Sequence, residues 1–291
     1  VYTPDGASLV CENCSSRQKL NTASPGAEQD FFVAMANGKG FQKTISAKTF
    51  QCQGCGANFL LAPTELSVAC AYCGSPHVLV GDTAQELVIP DAIISMVVDL
   101  EYAKSQLLQW VKKKLHGQNE RTRPLRGLYL PVWAFNLIGS IPWSGQAVRN
   151  KRPVPVSGEH PAIYNDVCIP ASARLDRLLQ ELLPDFNLAA TPAYNPGFLA
   201  GWPAQVCEKV MSDAALEARS ICVHHILRDI RSQNGELNNL LYSVSAISVT
   251  SYRLILLPVW VTGYSSGKTA VRLMINGQNG KVLAEKNQTR Q

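Results

Sequence analysis

Cys52-Gln53-Gly54-Cys55-Gly56 and Cys70-Ala71-Tyr72-Cys73-Gly74 are two Cys-x-x-Cys turns separated by fourteen residues. A turn of this kind places two sulfurs on one side of a tight loop. The glycine after the second cysteine tolerates the positive φ that lets backbone amides turn in towards those sulfurs. Two such pairs supply four thiolates, the set that a tetrahedral zinc ion prefers. The spacing is one residue below the usual range of about 15–20 but leaves room for a β-hairpin. Cys52, Cys55, Cys70 and Cys73 are therefore predicted to hold one structural Zn²⁺ in a zinc ribbon over residues 50–80. Four thiolates leave no position for water, which argues against catalytic zinc.

The other cysteines separate into two groups. Cys11 and Cys14 form a third Cys-x-x-Cys pair, with no further pair before residue 50 to complete it. Half of a degenerate ribbon, a metal shared with another chain, and plain thiols are the open readings. Cys168, Cys207 and Cys222 lie scattered in apolar segments and read as small core residues. Paired cysteines of this pattern point to metal in a reducing compartment, so a cytoplasmic location is expected.

Outward from the cysteines, the chain has 291 residues, 46% hydrophobic and 17% charged, which is a globular composition with enough length for a real core. Val1 rather than Met opens it, which predicts a fragment, a processed form or the ordered part of something longer. The longest apolar run, near 254–262, is interrupted by Pro258 and is far below the roughly 20 residues of a membrane-spanning helix. Residues 1–88 read as the zinc-ribbon region and 89–291 as an α+β domain of helices and antiparallel sheet. A helix is predicted from Leu100 to Leu115, with Asp99 as its N-cap and Gly117 as its stop. Helices are also predicted over 172–183 and 204–231. Strands are predicted over 128–135, where Pro131 suggests an edge or a bulge, and near 243–250, 252–262, 269–275 and 281–285. Leu130-Pro131-Val132-Trp133 recurs as Leu257-Pro258-Val259-Trp260, which suggests an internal duplication.

Competing motifs fail on spacing or context. Gly263-Tyr-Ser-Ser-Gly267-Lys268-Thr269 has three residues between its glycines where a P-loop has four, and strand sequence follows it. It reads as a hairpin turn. His77 follows a cysteine set that is already complete, while His224 and His225 sit on a predicted helix and read as packed residues.

The cysteine pairs, the Leu-Tyr-Leu-Pro-Val-Trp strand and the terminal Leu-Leu-Pro-Val-Trp…Ile-Asn-Gly-Gln-Asn-Gly-Lys-Val segment together resemble the bacterial transcription-factor-B-type zinc-ribbon proteins, often labelled primosomal replication-restart helicase-like. Leu199-Ala200-Gly201-Trp202 fits as well. The resemblance implies the ribbon fold. It does not carry a helicase activity here, because the chain has no P-loop and no motor motifs. Members with two full ribbons have a cysteine pair that this chain lacks.

Charge decides between two functional readings. No Lys or Arg lies between residues 50 and 81, so a four-thiolate Zn²⁺ centre of formal charge −2 is expected to go uncompensated by its own segment. That disfavours a ribbon that reads nucleic acid. Tyr72 and Leu60 are expected to be exposed and to suit a protein surface. The first reading is thus a non-enzymatic zinc-binding adaptor or scaffold that docks on other proteins in a larger assembly. The alternative is a nucleic-acid-binding accessory protein using Lys112, Lys113, Lys114, Arg121, Arg123 and Arg126.

Overall fold

The computed structural model describes residues 8–286 except 12, 20–25, 37–43, 61–66, 79–83, 115–120, 173–175, 190, 195–198, 200–201, 236 and 267–268. The N-terminal part contains the hairpin β1 (Ser8–Val10) and β2 (Arg17–Lys19), then β3 (Gln29–Asp30) and α1 (Phe31–Ala36). The cysteine-bearing segment contributes β4 (Thr44–Gln51), β5 (Asn58–Leu60), β6 (Ser67–Ala69), β7 (Pro76–Val78) and β8 (Ala84–Val88). Next come β9 (Ala92–Ile93), α2 (Leu100–Lys114), β10 (Arg121–Thr122) and a long hairpin of β11 (Arg126–Arg149) and β12 (Arg152–Pro170). α3 (Asp176–Leu182), β13 (Ala204–Gln205), α4 (Met211–Asn234) and β14 (Leu237–Tyr242) follow. The chain closes with β15 (Ser248–Ser266), β16 (Thr269–Asn276) and β17 (Val282–Lys286).

The fold is thus mixed helix and sheet, and its centre is the antiparallel pair β11–β15. Over residues 127–135 and 252–261 both strands alternate with period two between two covered faces, which explains their nearly continuous apolar sequence there. Leu128, Leu130 and Val132 face one side together with Leu257 and Val259, where they meet Leu178, Leu179 and Leu182 of α3 and the cysteine-bearing segment. On the other side, Trp133, Phe135 and Leu254 pack against Ala214, Ala218 and Cys222 of α4. Tyr129, Leu256 and Trp260 pack there against Ala103 and Leu107 of α2.

The two Leu-Pro-Val-Trp segments lie side by side, with Leu130 opposite Leu257. The residue before each Leu-Pro pairs in parallel with a short strand, Tyr129 with Ala204 and Leu256 with Ile93. Each tryptophan donates its indole N–H to a carbonyl just ahead of a helix: Trp133 to Lys209 and Trp260 to Val98, both at 2.8 Å. Pro131 sits inside a central strand, at neither the edge nor the bulge expected of it, and Pro258 does the same in β15. Pro131 lies where the outer neighbour of β11 changes from β13 to β12, and Pro258 where that of β15 changes from β9 to β16. A missing N–H interrupts no ladder at such a junction.

Three further boundaries differ from the sequence expectation. β11 continues well past Phe135, paired to β12 through a two-residue turn in which Asn150 and Lys151 have φ of 51° and 62°. Such a turn matches the twist of a tight hairpin. Among the described residues β12 pairs only with β11, and as an edge strand it tolerates Pro153, Pro155, Pro161 and Pro170. α4 starts at Met211, because Ala204–Gln205 is drawn into the sheet. The predicted strands 243–250 and 252–262 are one strand, β15, after a separate β14. Ser266 pairs with Thr269, so the P-loop-like sequence is a hairpin end, although residues 267–268 lie outside the described set. So does the expected helix stop at Gly117. α2 does start at Asp99, whose carboxylate accepts from Tyr102 N at 2.7 Å. Among the described residues no helix is long and apolar enough to cross a membrane.

Candidate metal centre

β4 and β5 carry one cysteine turn between them, and β6 and β7 carry the other. The turns have the same backbone. Cys52 N donates to Ala57 O at 2.8 Å and Gly56 N to Cys52 O at 2.6 Å. Cys70 N donates to Ser75 O at 3.0 Å and Gly74 N to Cys70 O at 2.9 Å. Gly56 and Gly74 take φ of 70° and 80°, the left-handed region that the sequence pattern calls for. A Cβ on Gly54 would stand 2.7 Å from Ser75 Oγ, so the close approach of the two turns also depends on glycine there.

The structure brings Cys52, Cys55, Cys70 and Cys73 together, with all four Sγ atoms within 4.8 Å of one another. Cys52 and Cys73 sulfurs are 3.5 Å apart, as are those of Cys55 and Cys70. A tetrahedral thiolate site with metal–sulfur bonds of about 2.3 Å separates its sulfurs by about 3.8 Å, so the four residues fit a metal ion. Cys52 and Cys70 are 0% and 1% exposed, while Cys55 and Cys73 are half-buried. Burial pushes the Cys55 thiol up to about 12 and raises that of Cys70. Burial also works upward on Cys73, but hydrogen bonds from the Ser75 side chain and backbone bring that thiol down to about 6. Four sulfurs this close cannot all ionise alone, and a divalent cation removes the conflict.

The cysteine cluster is continuous with the core of the large sheet. β5 pairs with β13, which pairs with β11, and Phe50, Phe59, Cys52 and Cys70 share a cluster with Leu128, Val259 and α3. Hydrogen bonds and packing therefore cross the boundary drawn at residue 89. Tyr72, expected to be exposed, is half-buried. Its ring lies 5.6 Å from that of Phe59 and its hydroxyl donates to Gln205 Oε1. The Leu60 side chain lies outside the described set.

Basic side chains do stand beside the cysteine turns, brought there from outside residues 50–81. Arg126 donates its guanidinium to the Cys70 carbonyl and lies against Gly74, where a Cβ would come within 2.7 Å of it. Arg123 and Arg272, with Cys55, Tyr72 and Cys73, line a cavity of about 250 Å³. Guanidinium groups thus reach the cysteine turns from positions outside residues 50–81. Within the basic stretch, Lys112, Lys113 and Arg123 are exposed, Arg126 is engaged at the cysteine turn, and the side chains of Lys114 and Arg121 lie outside the described set.

The remaining predicted residues lie elsewhere. Cys11 and Cys14 are exposed on the β1–β2 hairpin. His224 is exposed, and His225 lines a cleft with Asp166 and Cys168. There Asp166 pairs with the buried Arg253 at 2.7 Å, and burial pushes the Cys168 thiol up to about 12.

No family model matches the chain, and no solved structure matches it. An uncharacterized protein, YdjG of Bacillus subtilis (strain 168), is 22% identical over 216 residues. The match covers 67% of this chain and 63% of that protein, so the chain spans less than two thirds of its relative's length.

Proposed function

We propose that this protein is a non-enzymatic adaptor of the transcription-factor-B-type zinc-ribbon kind, in which a Zn²⁺ on Cys52, Cys55, Cys70 and Cys73 holds a recognition scaffold together. The observation that carries this is the convergence of four sulfurs within 4.8 Å of one another. Four thiolates would fill every position of a tetrahedral ion, and two of the sulfurs belong to residues buried in the main core. Such a site stabilises structure and has no place for a substrate. Zinc fits four thiolates better than magnesium or calcium, which prefer oxygen.

Docking on proteins is supported by apolar surface away from the metal. Phe32 and Met35 of α1 and Leu216 of α4 are exposed, and they border a cleft of about 360 Å³ that also includes Ala215 and Ile247. An internal duplication accounts for the matched tryptophan bonds and the two parallel short-strand pairings on either side of Leu130 and Leu257. Nine free cysteines fit a reducing compartment, which for this reading is the cytoplasm.

The test is proximity labelling of the full chain in native cells, beside a Phe32→Ser/Leu216→Ser variant. A protein set that the variant loses supports the adaptor. Recovery of nucleic acid alone contradicts it.

A further inference from the structure

Where β3, β15 and the residues just before β9 meet, a cavity of about 310 Å³ combines aromatic walls with a carboxylate. Trp133, Tyr194 and Tyr252 supply the aromatic surface, while Asp91 and Gln29 supply the polar part. The sheet gathers them. Gln29 pairs with Tyr252, Trp133 pairs with Leu254, and Tyr194 N donates to Asp91 O at 3.1 Å.

Two features of this cavity point to a ligand. The first is Tyr252, which is 2% exposed although its hydroxyl has no hydrogen-bond partner among the described residues. A buried hydroxyl normally has one, because without it the lost hydration goes unreplaced. Trp133 differs, since its indole N–H already donates to Lys209 O and leaves only ring surface for the cavity. Its ring centroid lies 5.9 Å from that of Tyr252 at an interplanar angle of 60°, so the two rings form a corner.

The second feature is charge. Leu254 N donates to Asp91 Oδ2 at 2.8 Å and Gln29 Nε2 donates to Oδ1 at 3.1 Å, which fixes the direction of the carboxylate. Burial, and after it the Asp91 charge, raises the Tyr252 hydroxyl above its ordinary value, so this group stays neutral at ordinary pH. No Lys, Arg or His is among the described residues that line the cavity. Aromatic faces and a carboxylate attract a cation and disfavour an anion. The tyrosine oxygen narrows the choice further, because it can accept from an ammonium N–H, which a quaternary ammonium lacks. The volume is at the lower end of ligand pockets and suits a small molecule.

We propose that this cavity binds a small organic amine in its protonated form, whose N–H groups donate to the Asp91 carboxylate and the Tyr252 hydroxyl while its carbon chain lies against Trp133 and Tyr194. The inference rests on neither the cysteine centre nor the adaptor reading, because it uses none of their residues.

The test is titration calorimetry of the full chain at neutral pH with butylammonium chloride, beside butanol and sodium butyrate as neutral and anionic probes of the same chain length. Butylammonium should bind, and the other two should not. Tyr252→Phe keeps the ring and removes the hydroxyl. A hydrogen bond to a charged group is worth about tenfold or more in affinity, so this variant should bind butylammonium more weakly by that factor. It should not melt at a lower temperature than the wild type, because in the free protein the hydroxyl has no bond to lose. Asp91→Asn keeps an acceptor for Leu254 N and removes the charge, and it should lose binding; if it fails to fold, Tyr252→Phe decides alone. Absence of butylammonium binding to the wild type, which would mark a cavity that holds water only, overturns the proposal. So does butanol binding as tightly as butylammonium, or a Tyr252→Phe chain with wild-type affinity.

Discussion

The guanidinium of Arg126 donates a hydrogen bond to the carbonyl oxygen of Cys70, a residue 56 positions earlier in the chain. This bond ties the second cysteine turn to the first residue of the central strand β11. A hydrogen bond from a charged donor contributes about 1.5–3 kcal/mol. Arg126→Ala should therefore weaken metal retention about tenfold or more, measured by competition with a chromophoric chelator. Arg126→Lys should recover part of the loss, because an ammonium can reach one acceptor but lacks the planar fork.

Gly74 and Arg126 should also be coupled. Gly74→Ala puts a side chain into the left-handed region, at about 1–2 kcal/mol, and meets the Arg126 guanidinium as well. In an Arg126→Ala background the second effect disappears. A double-mutant cycle on thermal stability should thus be non-additive, with Gly74→Ala less harmful when Arg126 is absent.

How much of this was legible in the sequence follows the range of the interactions. The cysteine turns were legible because spacing and a trailing glycine are local properties, and so was the α2 start at Asp99. The approach of Arg126, Arg123 and Arg272 to the cysteine turns was not, because it exists only once β11, β15 and β16 are assembled. β12 was missed because four prolines argue against a strand unless its edge position is known.

The matched tryptophans predict matched losses. Trp133→Phe and Trp260→Phe each remove an indole N–H from a carbonyl, at Lys209 and Val98, while preserving most of the ring volume. Each should lower stability by about 1–3 kcal/mol in denaturant unfolding. Strongly unequal values would count against the two halves being equivalent.

Buried thiols give a pH signature. Burial pushes Cys168 and Cys207 up to about 12 and Cys222 up to about 11, against an ordinary value of 9.0. Their folded-state values are raised, so the native chain holds these protons more tightly than the unfolded chain does. That contribution to stability is complete below about pH 9 and is lost as the pH rises towards 11–12. The melting temperature should fall over this window, and less so in a Cys207→Ala variant than in the parent. At neutral pH these three thiols should resist iodoacetamide in the folded protein.

The four-cysteine centre is expected to hold a structural metal ion on which the adjoining sheet depends. Structural zinc contributes about 10–16 kcal/mol in small modules. Hydrogen exchange of the full chain, read by mass spectrometry before and after chelation, tests the claim most directly. Chelation should remove protection from the amides of 52–56 and 70–75. The loss should spread to β5, to its partner Ala204–Gln205 and to the start of β11, because these pair in sequence across the sheet. A loss confined to residues 50–80 would mark that segment as a separate unit. Unchanged protection at Gly56 and Gly74 in metal-free protein would contradict the claim.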